Sequence, residues 1–305
     1  MKKIFYSNGK LLITGEYLVL DGATAFALPT KFGQNLIVDQ NPNPEIHWKS
    51  FDADGQVWFE DSISFSEIKI PFVQKTETIK TTLISILHQG YLLNPDFLTN
   101  ESGYNVTTHL TFPKKWGLGT SSTLINNIAQ WLQIDAFTLL NNSFGGSGYD
   151  IACAQNDSPI LYHLEKEKPI VEKVTFKPDF SNHIYFVYLN RKQSSKTAIA
   201  NYLANKASNL NKNIAENNKI TLEVLHANTL HSFARAIEKH EAKMSVILET
   251  TTVKEALFYD FEGHIKSLGA WGGDFVMVLS ELDPTAYFSS KGFNTIITYD
   301  EMILS

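Results

Sequence analysis

The period of the hydrophobic pattern changes near residue 113. From 103 to 112 apolar and polar residues alternate, which predicts a β-strand. Between that strand and the next element lies a segment rich in glycine and hydroxyl groups, Pro113-Lys-Lys-Trp-Gly-Leu-Gly-Thr-Ser-Ser122. Beyond it, apolar residues recur at the spacing of an amphipathic helix, namely Leu124, Ile125, Ile128, Trp131 and Leu132. The sequence therefore predicts a strand, a short loop and a helix in direct succession.

The same two periods predict the remaining elements. A hairpin is expected around Asp52-Ala-Asp-Gly55, a composition that turns the chain back on itself. The other predicted elements are strands within 4–39, a helix over about 76–93, a short helix before 144, a hairpin after 159, a strand over 183–189, helices over most of 195–258, strands on both sides of 269–273, a helix from about 283 and a strand over 294–299. Because the composition changes near 180, we expect an α+β fold of two halves, residues 1–180 and 181–305.

Composition and charge favour a folded protein that acts on small molecules. The chain has 305 residues, of which 43% are hydrophobic and 19% charged, as is ordinary for globular proteins. Its net charge of −6 provides no basic surface, so no nucleic-acid partner is expected. The single cysteine, Cys153, lies in an apolar helical run and is predicted to be a buried structural thiol.

The expected compartment is the cytoplasm. One cysteine allows no disulfide within the chain and is typical of a reducing environment. The first residues lack the apolar core of a signal peptide, and no run reaches the roughly 18 apolar residues that a membrane span needs. We therefore expect no membrane association.

The glycine-rich loop is predicted to bind an anion. A helix start leaves backbone N–H groups unpaired and carries a partial positive charge, and glycine lets those amides approach an anion closely. Thr120, Ser121 and Ser122 are available as caps. A Gly-X-Gly pattern alone is weak evidence, because most such matches are simple turns, and neither a Walker A motif nor a dinucleotide fingerprint is present.

Three further segments carry candidate chemistry, each with a plainer alternative. Lys10, before the apolar run that begins at Leu11, is either a solvated turn residue or an ammonium that neutralises phosphoryl charge. Asp150, after Gly145-Gly-Ser-Gly148, is either an N-cap or a carboxylate that orients or deprotonates an acceptor hydroxyl. The segment 266–274 is either a structural turn or a turn that closes over the anion loop. Four such segments in one chain are much less expected by chance than one.

These segments resemble the motifs of the GHMP kinase superfamily, and the resemblance covers most of the chain. The loop 113–122 is similar to the family's phosphate loop, with Thr120 in place of the first serine and Ser122 in place of alanine. The segment 8–22 resembles the amino-terminal motif, and its Gly15-Glu-Tyr17 is closest to phosphomevalonate kinases. The segment 146–152 matches the loop with the acidic catalytic residue, and 266–274 resembles the third motif.

The resemblance implies a fold, an activity and a set of site residues. The fold joins an amino-terminal domain like part of ribosomal protein S5 to a ferredoxin-like carboxy-terminal domain. The activity is phosphate transfer from ATP, with Mg²⁺, to a small anionic acceptor, of which phosphomevalonate and mevalonate are favoured. The implied residues are Asp150 and Lys10 for catalysis; Gly117, Leu118, Gly119, Thr120, Ser121, Ser122, Gly269, Gly272 and Gly273 for the nucleotide; Glu16, Tyr149, Ser194, Ser195 and Lys196 for the acceptor; and Ser121 for the metal.

Two departures from the family pattern keep alternatives open. No glutamate occurs from 123 to 149, where mevalonate kinases carry a metal ligand, so Ser121 is the best candidate; Glu16 is expected instead to pair with Lys10. Trp271 replaces a small residue of the third motif. A related decarboxylase that first phosphorylates its substrate is one alternative, and a non-catalytic nucleotide or metabolite sensor is another. The chain is expected to be a monomer or a homodimer.

Overall fold

The computed structural model describes residues 2–70, 78–99, 102–191, 199, 202–204, 209–269, 271 and 273–304. The strands are β1 (Lys3–Thr14), β2 (Ala25–Asn41), β3 (Glu45–Phe51), β4 (Val57–Ser64), β5 (Gly103–Leu110), β6 (Ile160–Glu165), β7 (Lys168–Lys173), β8 (Ile184–Tyr188), β9 (His264–Ser267), β10 (Phe275–Leu279) and β11 (Ile296–Thr298). The helices are α1 (Phe65–Lys69), α2 (Ile79–Leu93), α3 (Thr120–Leu132), α4 (Ala136–Ser143), α5 (Tyr149–Gln155), α6 (Leu210–Leu225), α7 (Leu230–Leu248), α8 (Val253–Leu257), α9 (Thr285–Ser290) and α10 (Tyr299–Met302).

The chain forms two compact units that interleave along the sequence. Unit 1 comprises Met1–Gly9, Phe32–Lys114 and Leu118–Gln155. Unit 2 comprises Lys10–Lys31, Lys115–Gly117 and Asn156–Ser305. Strands β1 and β2 contribute residues to both units. The expected division of the sequence near residue 180 stays a prediction.

Unit 1 contains a sheet covered by helices. Its strands pair in the order β4, β3, β5 and β2, with β3 parallel to β5 and the other neighbours antiparallel. Alternating residues of these strands pack against the apolar sides of α2, α3 and α4, as the periods of the sequence require. Trp48, Leu87, Ile125 and Leu139 lie in this core with no more than 1% of their surface exposed. The core fixes α3, the helix that follows the glycine-rich loop.

Unit 2 contains an antiparallel sheet in the order β11, β8, β10 and β9. Val187, Val276 and Phe288 are fully buried in its core. In the same unit, the first residues of β2 pair with β6, and β6 pairs with β7. The long helix α7 begins at a capping box, in which Thr229 and Ser232 satisfy each other's backbone N–H groups.

The predicted α+β class is confirmed, because the described residues form two sheets together with helices. The helix and hairpins predicted before residue 180 are present, with α2 beginning three residues later than expected, at Ile79. Cys153 is fully buried, as predicted. No helix among the described residues combines the length and the apolar composition that a membrane crossing demands.

Candidate functional site

The glycine-rich loop ends in a helix start whose N-cap residue, Gly119, has no side chain that could cap it. Gly117 and Gly119 have φ angles of 69° and 99°, in the left-handed region that favours glycine. Gly119 is the N-cap of α3, and the first N–H that returns to its carbonyl is that of Thr123. The N–H groups of the first turn of α3 therefore receive no cap from the N-cap residue and need other acceptors. This is the backbone geometry of an anion site.

The hydroxyl groups at the start of α3 divide into two kinds. Thr123 is buried, and its Oγ1 donates to Gln34 Oε1 at 2.7 Å, which holds the helix to β2 within unit 1. Ser121 is exposed, and Thr120 and Ser122 are partly exposed. These three side chains are accessible to a ligand, whereas Thr123 serves the packing.

Residues 115–117, at the beginning of the loop, are anchored within unit 2. The carbonyl of Lys115 accepts a hydrogen bond from the Tyr188 hydroxyl at 3.2 Å. The ring of Trp116 packs edge-on against Phe275, with centroids 5.4 Å apart. This hydrogen bond and this ring pair hold Lys115 and Trp116 in place before the loop enters α3.

Gly117 is bordered on two sides by candidate motifs. Lys10 on β1 donates from Nζ to the Gly117 carbonyl at 3.3 Å. The carboxylate of Asp274 lies so close that a Cβ built on Gly117 would be 2.3 Å from it. A larger residue at 117 would therefore displace Asp274 or the loop. The amino-terminal motif and the third motif meet at this glycine, all within unit 2.

Asp150 lies in the first turn of α5, within unit 1. The preceding Gly145, Gly146 and Gly148 all have positive φ, and at the first two a Cβ would meet no atom within 4 Å, so glycine is needed there for conformation rather than for space. Helix α5 is tied to α3, because Gln155 Nε2 donates to the Asn126 side chain at 3.0 Å. Asp150 and the start of α3 thus belong to one packed helix pair.

Glu16 does not pair with Lys10, and that prediction was wrong. Its side chain is 1% exposed and binds the ammonium of Lys266, which is fully buried and lies 250 residues away in the chain. Lys266 Nζ is also 3.3 Å from Glu241 Oε2. Lys10 instead donates to the Gly117 carbonyl. A buried carboxylate stays ionised only beside a compensating partner, and the fold brings Lys266 to Glu16.

A histidine completes this group. His240, 1% exposed, places Nε2 3.3 Å from Glu16 Oε2 and accepts a hydrogen bond from the Gly15 N–H at 3.1 Å. We call Glu16, His240, Glu241 and Lys266 the buried ionic cluster. It lies entirely within unit 2.

His240 and Glu241 were not among the residues predicted from the sequence, although the sequence contains a signal for them. They lie three and four residues after the buried Ile237, on the side of α7 that also buries Phe233 and Met244. Charged or polar residues at apolar positions of a helical pattern are rarely fully buried unless they are paired. Polar residues at such positions therefore indicate a buried partner elsewhere in the fold.

Burial changes the protonation of the cluster. It raises the pKa of Glu16 to about 7, although the charge of Lys266 lowers it. Burial, and after it the charge of Lys266, holds the pKa of His240 well below its usual value. Burial also lowers the pKa of Lys266, but Glu16 and Glu241 more than offset this, so its pKa is raised. Lys266 is therefore charged at neutral pH, His240 is neutral and Glu16 titrates.

These shifts predict how stability depends on pH. Since the pKa of Glu16 is higher in the folded state, its contribution to the free energy of unfolding is complete below about pH 4.5 and is lost as pH rises through about 7. His240, whose pKa is lower in the folded state, contributes above about pH 6.5 and loses that contribution on acidification. The two effects oppose each other between these limits.

Glu16→Gln is expected to remove the loss of stability that Glu16 causes as pH rises through about 7. Between pH 5 and pH 7.5, the free energy of unfolding of the variant should rise relative to that of the wild type by a few kcal/mol, roughly 1.4 kcal/mol for each unit of pKa shift. Urea unfolding at both pH values measures this difference. A difference between the two proteins that is the same at both pH values would contradict the assigned protonation.

The third motif adopts a strained turn. Gly269 has φ 65°, and the non-glycine residues Trp271 and Asp274 have φ 47° and 53°. Trp271 is 5% exposed and packs in one cluster with Tyr17, Tyr202 and Met244. Its ring lies 5.8 Å from Lys266 Nζ. The tryptophan that replaces a small residue of the motif is therefore part of the core of unit 2.

For several predicted site residues the contacts described above show no role. Gly273 is described and buried, whereas Gly272, Ser194, Ser195 and Lys196 lie outside the described residues. Tyr149 is half-buried at the start of α5. The predicted roles of Glu16 and Tyr149 toward the acceptor stay predictions.

The described residues contain no group of three or more His, Cys, Asp or Glu side chains that could by itself hold a metal ion. In nucleotide sites Mg²⁺ takes most of its oxygen ligands from phosphates and water. The exposed Ser121 hydroxyl at the start of α3 fits as a protein ligand in such a set.

No model of a known protein family matches the sequence, and no curated protein sequence matches it. Solved structures match the fold. Methanococcus jannaschii mevalonate kinase has a TM-score of 0.70 and 14% identity, with 100% of this chain and 99% of that chain covered. Lactococcus lactis galactokinase complexed with galactose has a TM-score of 0.70 and 13% identity, with 99% and 93% covered. Streptococcus pneumoniae phosphomevalonate kinase, in complex with phosphomevalonate and AMPPNP, has a TM-score of 0.66 and 15% identity, with 95% of each chain covered. The chain therefore has the GHMP kinase fold, as the motifs predicted.

Proposed function

We propose that the chain is an ATP-dependent kinase that phosphorylates a small, anionic acceptor. The observation that carries the proposal is the uncapped start of α3, with Gly117 and Gly119 in left-handed conformations and an exposed Ser121. Backbone amides at such a start bind phosphate without a basic side chain. The fold, shared with kinases of small molecules, supports the same conclusion.

In the proposed reaction the acceptor hydroxyl attacks the γ-phosphorus of ATP, the bond to the β-phosphate oxygen breaks, and ADP leaves. Asp150 accepts the proton of the attacking hydroxyl. The amides of residues 117–122 hold the phosphates, and the ammonium of Lys10 neutralises charge that develops on the transferred group. Most of the rate enhancement comes from positioning and electrostatic stabilisation, because phosphoryl transfer requires little covalent chemistry from the protein.

Ser121 would hold Mg²⁺ together with phosphate oxygens and water. When bound, the ion neutralises negative charge on the β- and γ-phosphates. Its place in the proposal follows from the Ser121 hydroxyl, which is exposed at the start of α3.

Phosphomevalonate or mevalonate is the proposed acceptor. Gly15-Glu-Tyr17 resembles the motif of phosphomevalonate kinases, and two of the similar structures are kinases that bear these substrates' names. Arg191 and the other basic residues near it would attract an anionic acceptor. The proposed place of the reaction is the synthesis of isoprenoid precursors in the cytoplasm.

A panel assay tests both levels of the proposal. The purified chain is incubated with ATP and Mg²⁺ and, separately, with mevalonate, phosphomevalonate, diphosphomevalonate, galactose and homoserine, and products are identified by mass. We expect addition of one phosphoryl group to mevalonate or phosphomevalonate. Phosphorylation of another compound would revise the acceptor alone, and loss of carbon dioxide from diphosphomevalonate would indicate the decarboxylase. Nucleotide binding without transfer to any acceptor would indicate the sensor and would refute the kinase.

A further inference from the structure

One helix of unit 2 holds both motifs that border Gly117. His240 on α7 accepts the Gly15 N–H at 3.1 Å, next to Glu16 in the amino-terminal motif. The next residue, Glu241, accepts both the N–H and the hydroxyl of Ser267 through Oε1, at 3.1 and 2.6 Å. Two consecutive side chains of a single helix therefore bind two segments that are distant in the sequence.

Lys266 connects these two attachments. Its ammonium contacts Glu16 of the amino-terminal motif and lies 3.3 Å from Glu241 of α7. Lys266 is also the first residue of the third motif, eight residues before Asp274. The buried ionic cluster is therefore a cross-link among α7, the turn after β1 and the segment that leads to Asp274.

Both linked segments contact the same residue of the phosphate loop. β1 carries Lys10, which donates to the Gly117 carbonyl at 3.3 Å, and the third motif carries Asp274, whose carboxylate packs against Gly117. A shift of either segment would move Lys10 or Asp274 and so change the contacts that position Gly117. Displacements of about 1 Å can cost about 10²-fold in enzyme rates, so this cross-link matters for function as well as for folding.

We propose that His240, Glu241 and Lys266 are positioning residues, which fix Lys10 and Asp274 against Gly117 and so hold the phosphate loop in its nucleotide-binding conformation. This inference rests on the proposed function for its catalytic consequence, but the positioning itself is a property of the protein without nucleotide. In this role His240, Glu241 and Lys266 act through Lys10 and Asp274 and not on ATP or the acceptor directly.

The alternative is that the cluster contributes only to the stability of the fold. A buried ion pair does not by itself show that a protein is stabilised. Replacing such a pair by neutral groups is often harmless, whereas removing one partner leaves an unpaired buried charge. Charge balance therefore separates the two explanations. Lys266→Met leaves two buried carboxylates, whereas Glu241→Gln/Lys266→Met leaves only Glu16, which can take up a proton to become neutral.

The experiment compares these two variants with the wild type. Lys266→Met alone should lower Tm by about 10 °C. In the double variant, Tm should return to within about 3 °C of the wild type, because no charge remains unpaired. In nucleotide-free double variant, amides of residues 115–117 should nevertheless exchange hydrogen about tenfold faster, and kcat/KM for ATP should remain about 10²-fold lower. Recovery of exchange and kcat/KM together with Tm would overturn the proposal.

If the double variant stays unstable, a single substitution can test whether the cluster positions the phosphate loop. Glu241→Gln keeps an acceptor for Ser267 but removes the charge that faces Lys266, and we expect exchange at 115–117 to rise about threefold or more. Glu238→Gln is the matched control, since Glu238 lies on the same helix, is 53% exposed and pairs with His264. Exchange in Glu241→Gln equal to that of the wild type and the control would refute the positioning role. Because this measurement uses nucleotide-free protein, absence of kinase activity would refute the proposed function alone.

Discussion

Replacing Asp150 by asparagine is expected to lower kcat by about 10²- to 10⁴-fold, the usual contribution of a general base. The amide has nearly the shape of the carboxylate but cannot accept the proton of the attacking hydroxyl. KM for ATP should change less than about threefold, because the proposed nucleotide site is the start of α3 and does not include Asp150. Steady-state kinetics with varied ATP at saturating acceptor measure both values.

Asp157→Asn provides the control for this substitution. Asp157 lies two residues after α5, its side chain is 81% exposed, and its ion pair with Lys173 is long, at 3.8 Å. Such a surface pair contributes little to stability, and we expect the kinetics of this variant to equal those of the wild type. If Asp150→Asn keeps wild-type kcat, Asp150 is not the base, and its place at the start of α5 would be that of a structural residue.

Gly117→Ala is expected to lower kcat/KM for ATP by about 10²-fold, chiefly through KM. Alanine at φ 69° is strained by roughly 1–2 kcal/mol, and its Cβ would be 2.3 Å from the Asp274 carboxylate. Asp274 cannot yield through its backbone, whose N–H donates to the Arg191 carbonyl and whose carbonyl accepts the Leu189 N–H, both at 2.8 Å. Either the Asp274 side chain or the loop must therefore move, and a movement of the loop displaces its amides. ATP affinity by calorimetry and kcat/KM by kinetics test this.

Gly55→Ala separates strain from displacement. Gly55, in the turn between β3 and β4, has a similar φ of 79°, but a Cβ there would meet no atom within 4 Å. The strained backbone should lower Tm by a few degrees in both variants, by roughly the same amount in each. Only Gly117→Ala should lose ATP affinity. Equal ATP affinity of Gly117→Ala and the wild type would show that the position of Gly117 is not critical.

The candidate site was largely predictable where its chemistry depends on local sequence. The loop 113–122 is bounded by a change from period 2 to period 3.6, which predicts a helix start near its end. The expected caps Thr120, Ser121 and Ser122 instead form the first turn of α3, and Gly119 is its N-cap. The position of Asp150 at the start of a helix was also predictable, because the small residues Gly145-Gly-Ser-Gly148 precede a helical pattern. The start of α2 differed from the predicted one because Thr78 and Thr81 form a capping box there. The apolar pattern does not show this box.

Partners within the core were not predictable in this way. From the sequence, Glu16 was expected to pair with Lys10, six residues away in the same motif. The structure pairs Glu16 with Lys266, and the pair requires helix α7 to supply Glu241 and His240. Which charges pair depends on which are removed from water together, and burial is a property of the assembled fold.

By itself, then, the sequence determined the α+β class, the order of the strands and helices, and the loops where glycines permit left-handed backbone. These follow from interactions between residues only a few positions apart. The tertiary structure alone decided that Lys10 and Asp274 border Gly117, that Trp271 belongs to the core of unit 2, and that a buried ionic cluster links two motifs through α7. Such contacts join residues up to 250 positions apart, and their strength comes from exclusion of water, which no local pattern specifies.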